Sequence, residues 1–247
     1  MPSPRRLRAV ERALGPAATG SGDAHLVGLR VLVTAGGTRE PIDSVRFVGN
    51  RSSGRMGFAL AEEAAALGAA VTVIAANVAL PRSPAIRYLD VATAAELKAA
   101  CEQELPRTDV LLMAAAVADF RPAAPADTKL KKDGREELVI ALERTPDILS
   151  GLAASRRADQ TLVGFAAEHG EGAVAYGRDK LARKGLDAVV VNDIARPDIG
   201  FEGADNEVTI VTAAGERHIA RAAKPEVARA ILDVVSELRR AGRPAAA

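Results

Sequence analysis

RVLVTAGGTREPIDSVRFVGNRSSGRMGFALAEEAAALGAAVTVIAA, residues 30–76, is the stretch that decides the fold. It opens with a short β-branched apolar run at 30–34 and closes with a second one at 71–75. Between the two runs, apolar residues recur at helical spacing from Met56 to Leu67, and Gly68 follows as a helix stop. The stretch therefore predicts a strand, a helix and a second, parallel strand. Both faces of such a βαβ unit have to be covered.

The same alternation continues along the chain. Strands are predicted at 86–91, 109–114, 138–141, 162–166 and 188–191, and helices at 93–104, 146–154 and 171–184. A β-hairpin at 207–220 and a last helix from Pro225 complete the pattern, and Thr93 with Glu96 has the spacing of a capping box. We predict an α/β fold with a doubly wound, Rossmann-like and mostly parallel sheet, extended by a small antiparallel hairpin.

The chain organises into one domain with two flanking segments. Residues 1–28 are rich in Pro, Gly and Ser and are predicted to be a leader or linker outside the folded unit. Residues 29–241 form the single predicted domain, and residues 242–247 are predicted to be a tail.

Composition and charge exclude several classes of protein. The 247 residues include 33 basic and 32 acidic side chains, a formal charge of +1 that disfavours a nucleic-acid partner. Cys101 is the single cysteine, so no internal disulfide can form. No apolar run reaches the roughly 18 residues of a membrane span, and no signal-peptide core is present, so we predict no membrane partner and a cytoplasmic location.

Lysine is scarce and clustered. Only seven of the 33 basic residues are lysines, and five of them lie at 129–132 and at Lys180 and Lys184. Lys180 and Lys184 lie one helical turn apart, so both point the same way. A solvated charge run and compensation of the helix dipole are the alternative interpretations. If the clusters bind a polyphosphate, we expect both to face one pocket.

Ligands bind at the carboxyl ends of strands in sheets of this kind, so the loops after the strands carry the candidate site. The loop at 34–57 lacks the G-x-G-x-x-G fingerprint, and no acidic residue ends the second strand, so an ordinary NAD site is disfavoured. Its residues Asn50 to Gly57 combine an amide, hydroxyls and glycines at a helix N-terminus, which suits a phosphate. The alternative is that Ser52 or Ser53 only caps the helix.

The loop at 114–122 offers small residues for a flat ring and one carboxylate, Asp119, whose alternative role is to cap a turn. No Ser-His-Asp or Cys-His set is placed at strand ends, so a hydrolase with a side-chain nucleophile is poorly supported.

Jointly these motifs resemble one family, phosphopantothenate-cysteine ligase, over about residues 29–240. The matching segments are 31–65 (VLVTAGGTREPIDSVRFVGNRSSGRMGFALAEEAA), AAAVADFRP, KLKK, TPDIL, GFAAE, VVVND and the stretch 200–206. His169 departs from the family's small polar residue. The resemblance implies the ligase half of a bifunctional protein of coenzyme A biosynthesis without its flavin-dependent decarboxylase half. No FMN is therefore expected, and association with a separate decarboxylase protein stays open.

The resemblance also implies a reaction and its site residues. The carboxylate of 4'-phosphopantothenate would attack the α-phosphate of CTP, assisted by Mg²⁺, and the amine of L-cysteine would displace CMP from the acyl-cytidylate. Asn50 and Lys129 match the catalytic residues, and Arg46, Ser52, Ser53 and Gly54 match the substrate site. The implied CTP site is Met113, Ala114, Ala115, Asp119, Lys129, Pro146, Asp147, Ile148, Leu149, Phe165, Lys180 and Lys184. A homodimer is implied as well, and the metal ligands are not identified.

Two other functions compete with this one. A relative of the ligase could activate another carboxylic acid or use another amine. A non-catalytic Rossmann-type module that binds a nucleotide or a dinucleotide would also fit the alternation of strands and helices.

Overall fold

An eight-stranded sheet forms the centre of the computed structural model, which describes residues 25–132, 136–168, 170–193, 203 and 205–241. The strands are β1 (Arg30–Gly36), β2 (Arg39–Pro41), β3 (Phe47–Gly49), β4 (Ala70–Ala76), β5 (Arg87–Val91), β6 (Val110–Met113), β7 (Phe120–Pro122), β8 (Leu142–Arg144), β9 (Thr161–Glu168), β10 (Ala188–Asp193), β11 (Asp205–Thr212) and β12 (Gly215–Ala223). The helices are α1 (Arg55–Ala66), α2 (Ala94–Glu104), α3 (Ile148–Ser155), α4 (Ala173–Lys184) and α5 (Lys224–Ala241).

The sheet order is β12-β11-β10-β9-β6-β1-β4-β5. The six neighbouring strands β10, β9, β6, β1, β4 and β5 pair in parallel. Strands β11 and β12 add an antiparallel hairpin beside β10. The order reverses beside β1, because the chain builds β4 and β5 on one side and then β6, β9 and β10 on the other. The predicted doubly wound α/β fold is confirmed.

Helices cover both faces of the sheet. Val31 and Val33 of β1 belong to the core beneath α1 and α5, whereas Leu32 belongs to the core beneath α2, α3 and α4. This follows from the alternation of side chains along a strand. Cys101 lies in the second core, and its burial raises the pKa of the thiol to about 12.

Close packing of α1 on β1 depends on glycine. Gly54, directly before α1, has φ +79°, and a Cβ there would lie 3.3 Å from the backbone nitrogen of Gly36 at the end of β1. A Cβ on Gly57, in the first turn of α1, would lie 2.6 Å from the Cβ of Ala35. These contacts bring the N-terminus of α1 directly over the carboxyl end of β1.

The predicted capping box of α2 is confirmed. The hydroxyl of Thr93 accepts a hydrogen bond from the N–H of Glu96 at 3.2 Å, and the carboxylate of Glu96 accepts one from the N–H of Thr93 at 3.4 Å. This places the start of α2 one residue after the predicted bound.

The structure corrects the sequence pattern in two places. The strand predicted at 138–141 is not a strand, since β8 lies at 142–144 and pairs with β7; Val139 is 88% exposed. The hairpin of β2 and β3 was not predicted. The hairpins β2–β3 and β7–β8 both expose apolar side chains. Their sequences therefore lack the alternation of apolar and polar residues by which a half-buried strand is predicted.

Core packing also extends further toward the N-terminus than predicted. Leu26 is 1% exposed, and its N–H donates to the carbonyl of Leu67 at 3.3 Å, so the packed part begins before residue 29. The rest of the predicted leader, residues 1–24, and the predicted tail, residues 242–247, lie outside the described residues.

Candidate functional site

A cavity of about 830 Å³ opens at the carboxyl ends of β6, β9 and β10. The loops after β1 and β6, the N-termini of α1 and α3, and the side of α4 supply its walls. The predicted site residues that line it are Asn50, Ser52, Ser53, Gly54, Met113, Ala114, Ala115, Asp119, Pro146, Asp147, Ile148, Leu149, Phe165, Lys180 and Lys184. The fold thus brings most of the candidate residues to one place.

The N-terminus of α1 forms one wall of this cavity. Gly54 occupies the N-cap position with φ +79°, and within the described part of the chain no side chain caps the helix. The hydroxyl of Ser53 accepts a long hydrogen bond, 3.5 Å, from the N–H of Arg55, the first helical residue, but Ser53 precedes the N-cap position. The interpretation of Ser52 or Ser53 as the N-cap is therefore wrong. An N-terminus without a side-chain cap offers N–H groups and the positive end of the helix dipole to an anion.

Asn50 connects the two loops that border the cavity. Its Nδ2 donates a hydrogen bond to the carbonyl of Val117 at 3.0 Å, and its carbonyl accepts one from the N–H of Ser52 at 3.0 Å. The side-chain amide is therefore held at the cavity wall, and its Oδ1 accepts no hydrogen bond from the described residues.

Threonine hydroxyls fix the loop after β6. The hydroxyl of Thr34 accepts from the N–H of Ala115 at 3.0 Å, and that of Thr38 accepts from the N–H of Ala118 at 2.9 Å. The hydroxyl of Thr145 donates to the carbonyl of Ala118 at 2.6 Å, and its N–H donates to the carbonyl of Asp119 at 2.9 Å. The backbone that presents Asp119 to the cavity is thus preorganised before any ligand enters.

The two lysines of α4 have different partners. The ammonium of Lys180 donates to the carbonyl of Phe165 at 2.6 Å, and burial together with the charge of Lys184 lowers the pKa of Lys180. Lys184 pairs with Asp147, the N-cap of α3, at 3.0 Å. Burial raises the pKa of the Asp147 carboxyl, but the bonds from Ser150 and Lys184 outweigh it, so that this pKa lies below its usual range.

Arg46 and Lys129 do not line the cavity of this chain. The guanidinium of Arg46 pairs with Asp43, and Lys129, Lys131 and Lys132 are exposed. The expected convergence of both lysine clusters on one pocket is therefore not present in the single chain.

Asn192, Asn206 and Lys224 are among the lining residues that the sequence analysis did not select as site residues. The Oδ1 atoms of Asn192 and Asn206 are buried and accept no hydrogen bond from the described residues. Lys224 is 5% exposed and donates to the carbonyls of Gly203 and Asp205, and burial lowers its pKa. Asn192 lies near the end of β10, Asn206 near the start of β11 and Lys224 at the start of α5. Such positions could have marked these residues as candidates in the sequence, but only the order of the strands in the sheet brings them together.

The described part of the chain contains neither a candidate metal-binding cluster nor a candidate membrane-spanning helix. Among the residues that the structure describes, no cluster of three His, Cys, Asp or Glu side chains could hold a metal ion. No helix in that part of the chain is long and apolar enough to span a membrane. His169, where the sequence departs from the family pattern, lies outside the described residues. Fold and cavity together define a Rossmann-like domain with a cavity at the carboxyl edge of its sheet, lined by the N-termini of α1 and α3 and by Lys180 and Lys184.

Comparison with known proteins identifies the family. The model of the DNA/pantothenate metabolism flavoprotein C-terminal domain matches residues 26–238, and the chain belongs to this family. The coenzyme A biosynthesis bifunctional protein CoaBC of Vibrio cholerae is 39% identical over 213 residues, which is 86% of this chain and 53% of that protein. CoaBC of Mycobacterium tuberculosis is 43% identical over 220 residues, 85% of this chain and 52% of that protein. The chain spans about half the length of the curated relatives it matches.

Solved structures agree with this assignment. The crystal structure of the C-terminal domain of CoaBC has a TM-score of 0.75 and 36% identity, and the match covers 89% of this chain and 99% of that one. A Cab2 variant in complex with phosphopantothenate-cysteine has a TM-score of 0.72 at 18% identity, covering 86% of this chain and 88% of that one, which shows the shared fold. The resemblance to the phosphopantothenate-cysteine ligase half of CoaBC is thereby confirmed.

Proposed function

We propose that this domain joins 4'-phosphopantothenate to L-cysteine with CTP, giving 4'-phosphopantothenoyl-cysteine, CMP and pyrophosphate. One observation carries the proposal: a single cavity combines the N-terminus of α1, which has no side-chain cap, with Asn50 and with the ammonium of Lys184. These groups can bind phosphate and acyl oxygens without a covalent enzyme intermediate. Family membership and the relatives' names support the same conclusion.

The reaction would proceed in two displacements. A carboxylate oxygen of phosphopantothenate attacks the α-phosphorus of CTP, a P–O bond breaks and pyrophosphate leaves. The amine of cysteine then attacks the acyl carbon, CMP leaves with the electron pair of the broken C–O bond, and the amine loses a proton as the amide forms. Catalysis of both steps requires positioning and stabilisation of charge, which a helix N-terminus and fixed cations can provide.

Each predicted site residue has a proposed role in this scheme. The amide of Asn50 would bond the acyl and phosphate oxygens of the intermediate. Lys129 would stabilise the negative charge of the triphosphate during nucleotidyl transfer, and Arg46 would hold an anionic group of the pantothenate moiety. The residues after β6, at the start of α3 and on α4 would bind CTP.

Mg²⁺ fits the site through the nucleotide rather than through a cage of protein ligands. Asp119 lines the cavity, and Mg²⁺ commonly binds one or two carboxylates together with substrate phosphates. When bound, the ion would neutralise charge that develops on the triphosphate. FMN is not part of the proposal.

A homodimer is part of the proposal. The two small hairpins expose Val45, Phe47, Phe120 and Leu142 on their strands and turn, each at least 46% exposed. Apolar exposure of this kind is typical of a surface that a partner covers. A cytoplasmic location stays a prediction.

Pyrophosphate release tests the function. The protein is mixed with CTP, 4'-phosphopantothenate, L-cysteine and Mg²⁺. Release of one equivalent of pyrophosphate is expected to require CTP, 4'-phosphopantothenate and Mg²⁺, and continued turnover is expected to require L-cysteine as well. In Asn50→Ala we expect kcat to fall by about 100-fold with little change in CTP affinity, because the amide acts on the reacting oxygens.

Other outcomes select the alternatives. Release only with another acid or amine would indicate a relative of the ligase with different substrates. Tight NAD binding without CTP binding in calorimetry would indicate the non-catalytic module. Equal activity of Asn50→Ala and the unsubstituted protein would contradict the proposed role of Asn50.

A further inference from the structure

The carboxylate of Asp43 joins two segments that lie far apart in sequence. Its side chain is fully buried, and Oδ1 accepts from the N–H groups of Val45 and Arg46, each at 2.8 Å. Oδ2 accepts from Nε of Arg46 at 2.9 Å and from the N–H of Leu130 at 3.0 Å. Leu130 lies between Lys129 and Lys131. Asp43 therefore holds the lysine segment against the loop between β2 and β3.

Two further bonds strengthen this attachment. Nη2 of Arg46 donates to the carbonyl of Leu130 at 3.0 Å, so both polar groups of this residue's backbone are held from the same loop. Four residues earlier, the N–H of Ala126 donates to the carbonyl of Ile42 at 3.0 Å. The contact is therefore a docked segment, 126–130, rather than one isolated hydrogen bond.

The anchored backbone of Leu130 limits the positions that the side chains of Lys129 and Lys131 can occupy. Lys129 and Lys131 have exposed side chains, and the fixed backbone between them sets the direction in which each side chain leaves the segment. A long ammonium side chain that starts from a fixed Cα samples less space than one on a free loop. Displacement of a catalytic group by about 1 Å can cost on the order of 100-fold in rate.

We propose that Asp43, together with Arg46, is a positioning residue that holds Lys129 in place for nucleotidyl transfer. The proposal rests on the proposed function and deepens it, because it assigns to Asp43 a role that acts through the backbone of Leu130. It also gives Arg46 a second task besides binding substrate: two of its guanidinium nitrogens are engaged by Asp43 and Leu130.

Electrostatics agree with an anchor rather than a proton carrier. The Arg46 side chain holds the pKa of the Asp43 carboxyl well below its usual range despite burial, and the N–H groups of Val45, Arg46 and Leu130 add to this effect. The carboxylate is therefore charged throughout the pH range of any assay of this reaction.

The anchor itself is tested by limited proteolysis with endoproteinase Lys-C, which cuts after lysine. In Asp43→Asn we expect cleavage at 129–132 to accelerate roughly tenfold, because local opening of the segment becomes easier. Asp127→Asn is the matched control, since Asp127 is exposed on the same segment, and its cleavage should equal that of the unsubstituted protein. Equal cleavage of Asp43→Asn and the control would overturn the anchor.

The catalytic consequence is tested by a double-mutant cycle on pyrophosphate release. Asp43→Asn is expected to lower kcat by about tenfold with a smaller change in the KM for CTP. In the Lys129→Ala background the same substitution should cause almost no further loss, because its effect passes through Lys129. An equal loss in both backgrounds would overturn the positioning role.

Two controls distinguish failure of the anchor from misfolding of Asp43→Asn and from failure of the proposed function. Arg46→Gln retains the backbone bonds to Asp43 but removes the bond to Leu130, so it should reproduce the faster Lys-C cleavage even if Asp43→Asn does not fold. If the unsubstituted protein releases no pyrophosphate, the proposed function fails and the positioning role fails with it. The Lys-C comparison then still decides whether Asp43 anchors the segment.

Discussion

Lys184, in the last turn of α4, forms an ion pair of 3.0 Å with Asp147, which caps the N-terminus of α3. The Lys184 side chain is 15% exposed and the Asp147 side chain 49%, and both residues line the cavity. The carboxylate holds the ammonium in place while also bonding to Ser150. This pair fixes one cation at the site before a polyanion arrives.

Replacement of this cation should weaken nucleotide binding. For Lys184→Met we expect the Kd for CTP with Mg²⁺ to rise by about tenfold or more, because a charge-assisted hydrogen bond contributes roughly 1.5–3 kcal/mol. Calorimetry at two salt concentrations measures this, and the loss should be smaller at high salt. Arg183→Met is the control, since Arg183 pairs with Asp179 on the exposed side of α4. Equal affinities of both variants would contradict the prediction.

Asn206 is expected to lower the stability of the free protein and to contribute to ligand binding. Its Oδ1 is buried without a donor among the described residues, and its Nδ2 has only a weak contact, 3.8 Å from the sulfur of Met56. A buried acceptor without a partner costs about 1–3 kcal/mol. Asn206→Leu should therefore raise the Tm of the free protein and reduce the thermal shift produced by CTP with Mg²⁺ or by 4'-phosphopantothenate.

The control for this prediction lies on the same strand. Thr209, also on β11, has a hydroxyl 3.5 Å from the ring of His218, and Thr209→Val should leave both ligand shifts unchanged. If Asn206→Leu retained the full shift with each ligand, its amide would not contact either of them.

Asp109 should make the fold sensitive to acid. Its carboxylate accepts from Nε and Nη2 of Arg30 at 3.0 and 2.9 Å, and these bonds lower its pKa despite burial, with help from the N–H of Arg30 and the charge of Arg239. Because the folded pKa is depressed, the stabilisation is complete above the unfolded pKa of about 3.9 and is lost as the pH falls toward the folded value. Asp109→Asn should cost about 1–3 kcal/mol at pH 7, and this cost should shrink progressively as the pH falls below ~4.

Urea unfolding of Asp109→Asn and the unsubstituted protein over this pH range measures the effect. Asp179→Asn serves as control, because Asp179 pairs with Arg183 at an exposed position on α4 and its removal should change the unfolding free energy little over this pH range. A difference between Asp109→Asn and the unsubstituted protein that stayed constant down to pH 3 would contradict the linkage.

Much of the fold could be predicted from the sequence because its elements bury one face or both. The strand at 30–34 and the helix before Gly68 lie close to the predicted bounds, since core packing imposes the period that the pattern detects. The hairpins of β2 with β3 and of β7 with β8 escaped prediction for the opposite reason. Each has three-residue strands and exposed apolar side chains, so no burial pattern marks it.

The candidate site was predictable to the extent that its residues follow strands. Asn50, Asp119 and Asp147 each lie in a loop or cap at the carboxyl edge, and the cavity contains all three. Asn206 escaped because it is the second residue of an antiparallel strand, whose N-terminal end reaches this edge only when β11 pairs with β10. A register irregularity between Asn206 and Val208 lies at the same place.

By itself, the sequence determined the alternation of strands and helices and the family motifs, because hydrophobic period and local cap chemistry depend on neighbouring residues. Only the tertiary structure decided which side chains hold one another across the chain. The bond from Leu130 to Asp43 spans 87 positions, and Lys184 meets Asp147 across 37. Pairings of this kind depend on strand order and loop path, which no local pattern encodes, and they separate the lysines of α4 from those at 129–132.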